Sequence, residues 1–290
     1  MKINKSINTE TFIACGSEYA KAETVIFGAP FDGTTSYRPG TRFAGKHIRG
    51  ESYGIETYSP YQDKDLEDIR VFDGGELDLP FGNTERVLEI IEEYTAEVLK
   101  DGKRPVMIGG EHLVTLGAVR AVLKKYPDLN IVHFDAHADL RQEYLGEKLS
   151  HACVLRRCHD LLGDGRIFQF GIRSGDREEF RFAEKHTYMN KFNLDTLFEI
   201  CQKLKGKPVY FTIDLDVLDS SVFPGTGTPE AGGIDFNELI SGIITVGGVL
   251  NVVAADINEL SPPYDPSGVS TAAACKALRE LLLATHKEKI

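Results

Sequence analysis

Three short stretches of the chain crowd side chains able to bind metal: Glu111-His112 after PVMIGG, Asp135-x-His137-x-Asp139 after NIVHF, and Asp214-x-Asp216 after PVYFTI. Apart from Glu111 they supply four carboxylates and two imidazoles. Carboxylates packed without a counter-charge repel and raise one another's pKa, so positive charge belongs among them. Six ligands exceed the three or four of a tetrahedral zinc site. Two ions bridged by shared carboxylates account for the number. An oxygen-rich set with one imidazole for each ion suits Mn2+, although ligand type leaves Zn2+, Ni2+ and Co2+ open. Two metals roughly 3.5–4 Å apart can hold a bridging hydroxide near neutral pH, ready to attack an electrophilic carbon. The chemistry expected is hydrolysis.

Any one cluster is a weak signal, because buried aspartates at strand ends commonly cap helices or close loops. Glu111 precedes a helix and has such a bland role, favouring its N-terminal dipole. His133 lies one step deeper on the same period-two face, where a core or supporting histidine fits better than a ligand. His47, His159, His186 and His286 have no comparable context and are assigned to surface or packing. What adds weight is placement, since all three clusters follow expected strands.

Those strands are short apolar or β-branched runs: 24–28, 69–73, 105–109, 130–135, 166–171, 208–214 and 251–257. Several are nearly continuous in hydrophobicity, as strands covered on both faces should be. Helical periodicity fills the gaps at 85–100, 115–126, 196–204 and 236–244, the last opened by a capping box of Asp235 and Glu238. Such alternation predicts a parallel sheet with helices on both faces. With no linker, repeat or low-complexity tract, the expectation is a single domain over residues 1–290. In an extended backbone, residues i, i+2 and i+4 share a face, so Asp135, His137 and Asp139 are expected to converge, and likewise Asp214 and Asp216. Ligand chemistry in open parallel sheets collects beyond the carboxyl ends of the strands. Glu259, after NVVAADIN, reaches the same rim. The long Gly- and Pro-bearing loop after the Asp214 pair lacks the G-K-[ST] ending of a phosphate loop and reads as an active-site wall.

Composition narrows the partners. The chain has 290 residues, 42% hydrophobic and 27% charged, with a formal charge of −11. Those proportions fit a globular protein rather than a disordered or membrane-embedded one. The acidity argues against nucleic acid or an anionic membrane surface, and fits a cationic substrate or bound cations. The five cysteines form no C-x-x-C pair and read as free, mostly buried thiols. No signal-peptide core or spanning segment is visible, which makes the cytoplasm the expected location.

The motifs IGGEH (108–112), HFDAHAD (133–139), TIDLDVLD (212–219) with PGTGTPEAGG (224–233), and INELSPPYD (257–265) closely resemble the ureohydrolase family of arginases and agmatinases. The resemblance spans nearly the whole chain. It implies a single doubly wound α/β domain, an eight-stranded and mostly parallel sheet, and hydrolysis of a guanidinium group to urea and an amine, usually with two Mn2+. It assigns His112, Asp135, Asp139 and Asp214 to one metal, and Asp135, His137, Asp214 and Asp216 to the other. By the same resemblance Asp139 accepts a proton from the attacking hydroxide and Glu259 pairs with the guanidinium. His151 shuttles a proton to the leaving amine, and Thr228 lies near the guanidinium. A homotrimer or homohexamer is implied as well.

The stretch EKLSH (147–151) lacks the Ser-Gly-Asn-Leu-His residues with which arginases hold the substrate's amino-acid end. Agmatine, giving putrescine and urea, is therefore the leading substrate, and the SPPYD ending looks agmatinase-like. Guanidinobutyrate stays open because Arg141 is a candidate reader of a carboxylate tail, and guanidine or another amidine is a further alternative within the family. The related zinc deacetylases generally use a His-His pair that this chain lacks. An inactive metal-binding paralogue is the remotest alternative, since every expected ligand is present.

Overall fold

A computed structural model describes Lys5 and residues 10–287. Its strands are β1 (Thr24–Gly28), β2 (Tyr58–Ser59), β3 (Lys64–Asp65), β4 (Val71–Glu76), β5 (Arg104–Ile108), β6 (Asn130–Phe134), β7 (Ile167–Ile172), β8 (Tyr188–Lys191), β9 (Pro208–Asp214) and β10 (Asn251–Asn258). Its α-helices are α1 (Ala44–Glu51), α2 (Thr84–Lys100), α3 (Thr115–Lys125), α4 (Val154–Leu162), α5 (Arg177–His186), α6 (Leu197–Leu204), α7 (Phe236–Val249) and α8 (Val269–Thr285). Eight strands form one sheet in the order β4-β1-β5-β10-β9-β6-β7-β8, and β2 pairs with β3 in a small separate ribbon. Every pairing in the large sheet is parallel. The expected α/β class, parallel sheet and helices on both faces are all present.

Alternation along the strands divides the core in two. In β6, Val132 and Phe134 join a cluster with residues of α1, α6, α7 and α8. Ile131, one residue out of phase, joins the opposite cluster with residues of α2, α3 and α4. Because crossover helices cover both faces, β1, β6 and β9 are buried at every position. The capping box expected at Asp235 and Glu238 opens α7. A second one, of Asp176 and Glu179, opens α5. All five cysteines are buried and unbridged. Among the described residues no helix is long and apolar enough to cross a membrane.

Strand β8 escaped the sequence reading. Its segment YMNK lies at the sheet edge, only part-buried, and carries no apolar run to mark it. The strand order also shows why the site lies where it does. The chain passes from β5 to β6 over two places that β9 and β10 later fill. The carboxyl ends of these four adjacent strands deliver Glu111-His112, Asp135 to Asp139, Asp214-Asp216 and Glu259 to one stretch of rim.

Candidate active site

Strand alternation does not itself bring the ligands together, contrary to the expectation from spacing. β6 ends at Phe134, so Asp135, His137 and Asp139 all lie in the loop beyond it. His137 forms an isolated bridge to Ser174, and Asp139 takes a left-handed turn at φ 54°. The carbonyl of Asp139 accepts N–H bonds from Leu155 and Arg156 at 3.0 and 3.1 Å, so the start of α4 holds that turn. Glu259 is also left-handed, at φ 66°. Left-handed backbone is unfavourable for residues with a Cβ and persists where surrounding contacts over-determine it. At the other pair, Asp214 ends β9 and accepts the Asp216 N–H at 2.9 Å, while Asp216 sits in the single 3-10 turn Leu215–Val217.

Glycine allows the exits of β5 and β10 to close on each other. A Cβ on Gly109 would run into the side-chain oxygen of Asn258, and one on Gly110 into the carbonyl oxygen of Phe31. With both absent, Glu259 N–H reaches Gly110 O at 3.0 Å, and the Glu259 carboxylate accepts the His112 N–H at 2.7 Å.

Six side chains then converge as two overlapping groups. His112 Nδ1 lies 3.1 Å from Asp135 Oδ2, 3.3 Å from Asp139 Oδ2 and 3.3 Å from Asp214 Oδ2. His137 Nδ1 lies 3.0 Å from Asp216 Oδ2 and 3.4 Å from Asp135 Oδ1. Asp135 thus turns one oxygen toward each imidazole. The far side of each ring is also engaged. His112 Nε2 is 2.8 Å from Thr212 Oγ1, and His137 Nε2 is 3.7 Å from a Glu230 carboxylate that accepts Ser174 Oγ at 2.9 Å. A metal-binding imidazole ordinarily donates its other N–H to such a partner, which leaves the inward nitrogen free to ligate.

His133 also approaches this group, with Nε2 2.8 Å from Asp135 Oδ2. The amide of Gln169 donates to Ala138 O at 2.8 Å and faces His133 Nδ1 at 3.2 Å, so His133 directs its remaining N–H at Asp135. It supports the shared carboxylate from below, as its depth in the strand suggested.

The electrostatics ask for cations. Burial raises the pKa of Asp139 to about 7, with Asp135 adding to the effect. Burial, Asp216 and Asp135 push Asp214 well up, and burial with Glu111 does the same to Glu259. Burial opposes charge on His112, yet the three carboxylates around it outweigh that and raise its pKa well above the usual imidazole value. Buried carboxylates in this number stay ionised only with compensating positive charge. The donor set, the shared Asp135 and the inward-facing nitrogens fit a pair of divalent ions.

A cavity of about 180 Å³ opens in front of this centre, with His137, Asp139, Arg141, His151, Thr228 and Glu259 in its wall. Its size suits a small molecule. His151 Nε2 is 3.3 Å from Ser36 Oγ, and the His151 N–H donates to Thr34 Oγ1 at 3.1 Å. Burial lowers the His151 pKa to about 4, so its imidazole is neutral around pH 7. Thr228 Oγ1 lies 3.4 Å from Asp216 Oδ2. All nine site residues named from the sequence therefore meet at one place.

Other contributors were given no such role from the sequence. Glu111 stands at the N-cap of the 3-10 turn His112–Val114 but makes no side-chain capping bond there. Its buried carboxylate accepts Thr34 N–H at 2.9 Å, Thr35 Oγ1 at 3.1 Å and the Thr34 hydroxyl, tying down the loop that carries Ser36. Arg173 organises the wall after β9, donating to the carbonyls of Asp216, Val217, Leu218 and Glu230 at 2.7, 3.1, 3.2 and 3.0 Å. Asp219 closes the same loop by accepting N–H bonds from Ser221, Gly232 and Gly233 at 3.0, 2.7 and 3.1 Å. A lone arginine or aspartate in a sequence announces nothing of this kind.

Comparison with known proteins agrees with the geometry. Residues 22–284 match the family described as Arginase family. An agmatinase of Halalkalibacterium halodurans is 49% identical over 286 residues, covering 98% of this chain and 99% of its own. An agmatinase of Bacillus subtilis is 46% identical with the same coverage. The crystal structure of an agmatine ureohydrolase of Thermoplasma volcanium superposes with a TM-score of 0.87 at 35% identity, covering 96% of this chain and 94% of that one. By its ligand constellation, its sheet and these likenesses, the chain belongs to the arginase family.

Proposed function

We propose that the protein hydrolyses the guanidinium group of agmatine to urea and putrescine, with two Mn2+ ions held in each subunit. The observation that carries this reading is the pairing of a buried carboxylate, Glu259, with the convergent His/Asp centre at the end of one small cavity. His112, Asp135, Asp139 and Asp214 would hold one ion, and Asp135, His137, Asp214 and Asp216 the other. Bound there, the ions supply activation of water at neutral pH and neutralisation of developing negative charge.

The chain's own residues do the rest. Glu259 offers the planar guanidinium a carboxylate, a pairing that sets its orientation as well as its position. Asp139, at the edge between centre and cavity, accepts the proton of the attacking water. His151 stands across the same cavity as a neutral imidazole, free to take up the proton that Asp139 accepts and to hand it to the nitrogen of the leaving amine as its C–N bond breaks. Thr228 bounds the guanidinium subsite on the side of Asp216.

Agmatine is favoured over guanidinobutyrate by the state of Arg141. Its Nε lies 3.3 Å from Glu179 Oε2, its Nη1 lies 3.6 Å from Asp176 Oδ2, and its guanidinium rests 4.7 Å from the centroid of the Tyr144 ring. Two carboxylates therefore claim the cation that a substrate carboxylate would need, and Glu230 adds negative charge beside His137. A dication is the better match for such a mouth. The chain acts as one domain, in the cytoplasm, and as a trimer or hexamer, a state that a solution mass measurement tests. The decisive experiment measures urea release by the Mn2+-loaded protein from agmatine, arginine, guanidinobutyrate and guanidine. Agmatine should have the highest kcat/KM, and a preference for guanidinobutyrate would overturn the reading of Arg141.

A further inference from the structure

Remote from the cavity, His159, Asp164 and His186 direct their side chains to one point, with ligand atoms all within 4.8 Å of one another. His159 lies in the last turn of α4, His186 ends α5, and Asp164 occupies the turn from α4 into β7. The cluster therefore sits near the amino ends of β7 and β8, at the opposite edge of the sheet from the catalytic rim. His159 Nε2 and His186 Nδ1 each lie 2.8 Å from the same oxygen, Asp164 Oδ1.

The backbone repeats this convergence. Gly163 N–H donates to His159 O at 2.8 Å, and Gly165 N–H donates to His186 O at 2.9 Å. Both glycines are left-handed, at φ 80° and 69°, which permits a Gly-Asp-Gly turn clamped between the two helix ends. The rings are held as well. His186 stacks on Phe182 with centroids 4.2 Å apart, and His159 meets the same ring edge-on at 4.9 Å. The Arg156 guanidinium lies 3.9 Å from the centroid of that phenylalanine. Three ligands from separate elements are thereby presented in fixed positions.

We propose that His159, Asp164 and His186 form a separate binding site for a divalent transition-metal ion, with Zn2+ as the expected occupant. Two imidazoles and one carboxylate with an open fourth position are a recurrent zinc donor set. Ligand atoms of a tetrahedral zinc lie roughly 3.3 Å apart, given metal–ligand bonds of about 2.0–2.1 Å. The present 2.8 Å spacings need open by only about half an ångström, which the 66% exposed Asp164 side chain allows. Its exposure also gives the ion a route in and leaves the fourth position to water. The His159 Nε2 proton now shared with Asp164 Oδ1 would be displaced by the ion, leaving both ring nitrogen and carboxylate oxygen to ligate.

The test compares the zinc content of full-length wild type, Asp164→Ala and His186→Ala after equilibration with excess Zn2+ and desalting. Wild type should retain one equivalent per chain more than either variant, whatever the catalytic rim retains. Agmatine turnover by the three Mn2+-loaded proteins should be the same. Should His186→Ala fail to fold, Asp164→Ala, altered only on an exposed turn, carries the comparison. Equal zinc contents in wild type and Asp164→Ala overturn the proposal and leave the cluster as a hydrogen-bonded loop closure.

Discussion

Replacing Glu259 by glutamine tests the proposed guanidinium contact with little change of shape. The wild-type side chain is 5% exposed, and its Oε1 accepts the His112 N–H at 2.7 Å. A glutamine can keep that bond through its carbonyl oxygen, but it then turns an NH2 toward a substrate that itself only donates. The loss is that of a hydrogen bond between charged partners, about 1.5–3 kcal/mol. At about 1.4 kcal/mol for each factor of ten, kcat/KM should fall roughly 10- to 150-fold. Folding should not suffer, since burial and Glu111 already oppose the Glu259 charge, so the metal-free Tm should hold or rise. Initial rates of urea formation, read beside the metal content of each preparation, make the measurement. Any second guanidine that wild type turns over should lose the same factor, because the group contacted is common to both. A kcat/KM within threefold of wild type, or unequal factors for two guanidines, would refute the assignment.

Other perturbations separate the remaining roles. Asp135→Asn should abolish turnover together with metal occupancy, because its two oxygens face the two imidazoles; retained stoichiometric metal would argue against sharing. His151→Ala should keep both metals and lower kcat by roughly 10²–10⁴-fold, the usual worth of a positioned acid or base; an emptied centre would remove it from the shuttle role. Asp219→Ala should loosen the wall that carries Thr228, raising KM for agmatine and speeding amide exchange at Gly232 and Gly233. The Asp219 carboxyl is held well below its ordinary pKa by the Ser221 hydroxyl and by backbone N–H groups. Its stabilisation is therefore complete above the unfolded value near pH 3.9 and lost as pH falls through the lower folded value. Tm measured from neutral to strongly acid pH should show the gap between wild type and Asp219→Ala closing only at the acid end.

Much of this was legible from local pattern. Apolar runs marked every central strand, because a strand buried on both faces cannot hide its composition. Strand β8 could not be read that way, since an edge strand needs little apolar surface. Ligand identity was legible too: carboxylates and imidazoles crowded after three strands have few other uses. How they meet was not. Period-two spacing pointed to side chains that do converge, but for the wrong reason, because the convergence depends on a left-handed turn at Asp139 and on exits beyond the strands.

The same division holds for the side chains around the centre. Arg141 reads from sequence as a free cation near the substrate, and only the packing of α5 reveals that Glu179 and Asp176 already hold it. His159 and His186 read as unremarkable surface histidines until the Gly-Asp-Gly turn places one carboxylate between them. The order of apolar runs and helical periods determined, by itself, the class of fold and the rim at which the carboxylates and imidazoles gather, since each is set by side-chain character along a short segment. The tertiary structure decided which oxygen faces which nitrogen, which charges are already paired and which loops are clamped. Those outcomes depend on residues distant in sequence meeting at van der Waals range, and no local pattern encodes that meeting.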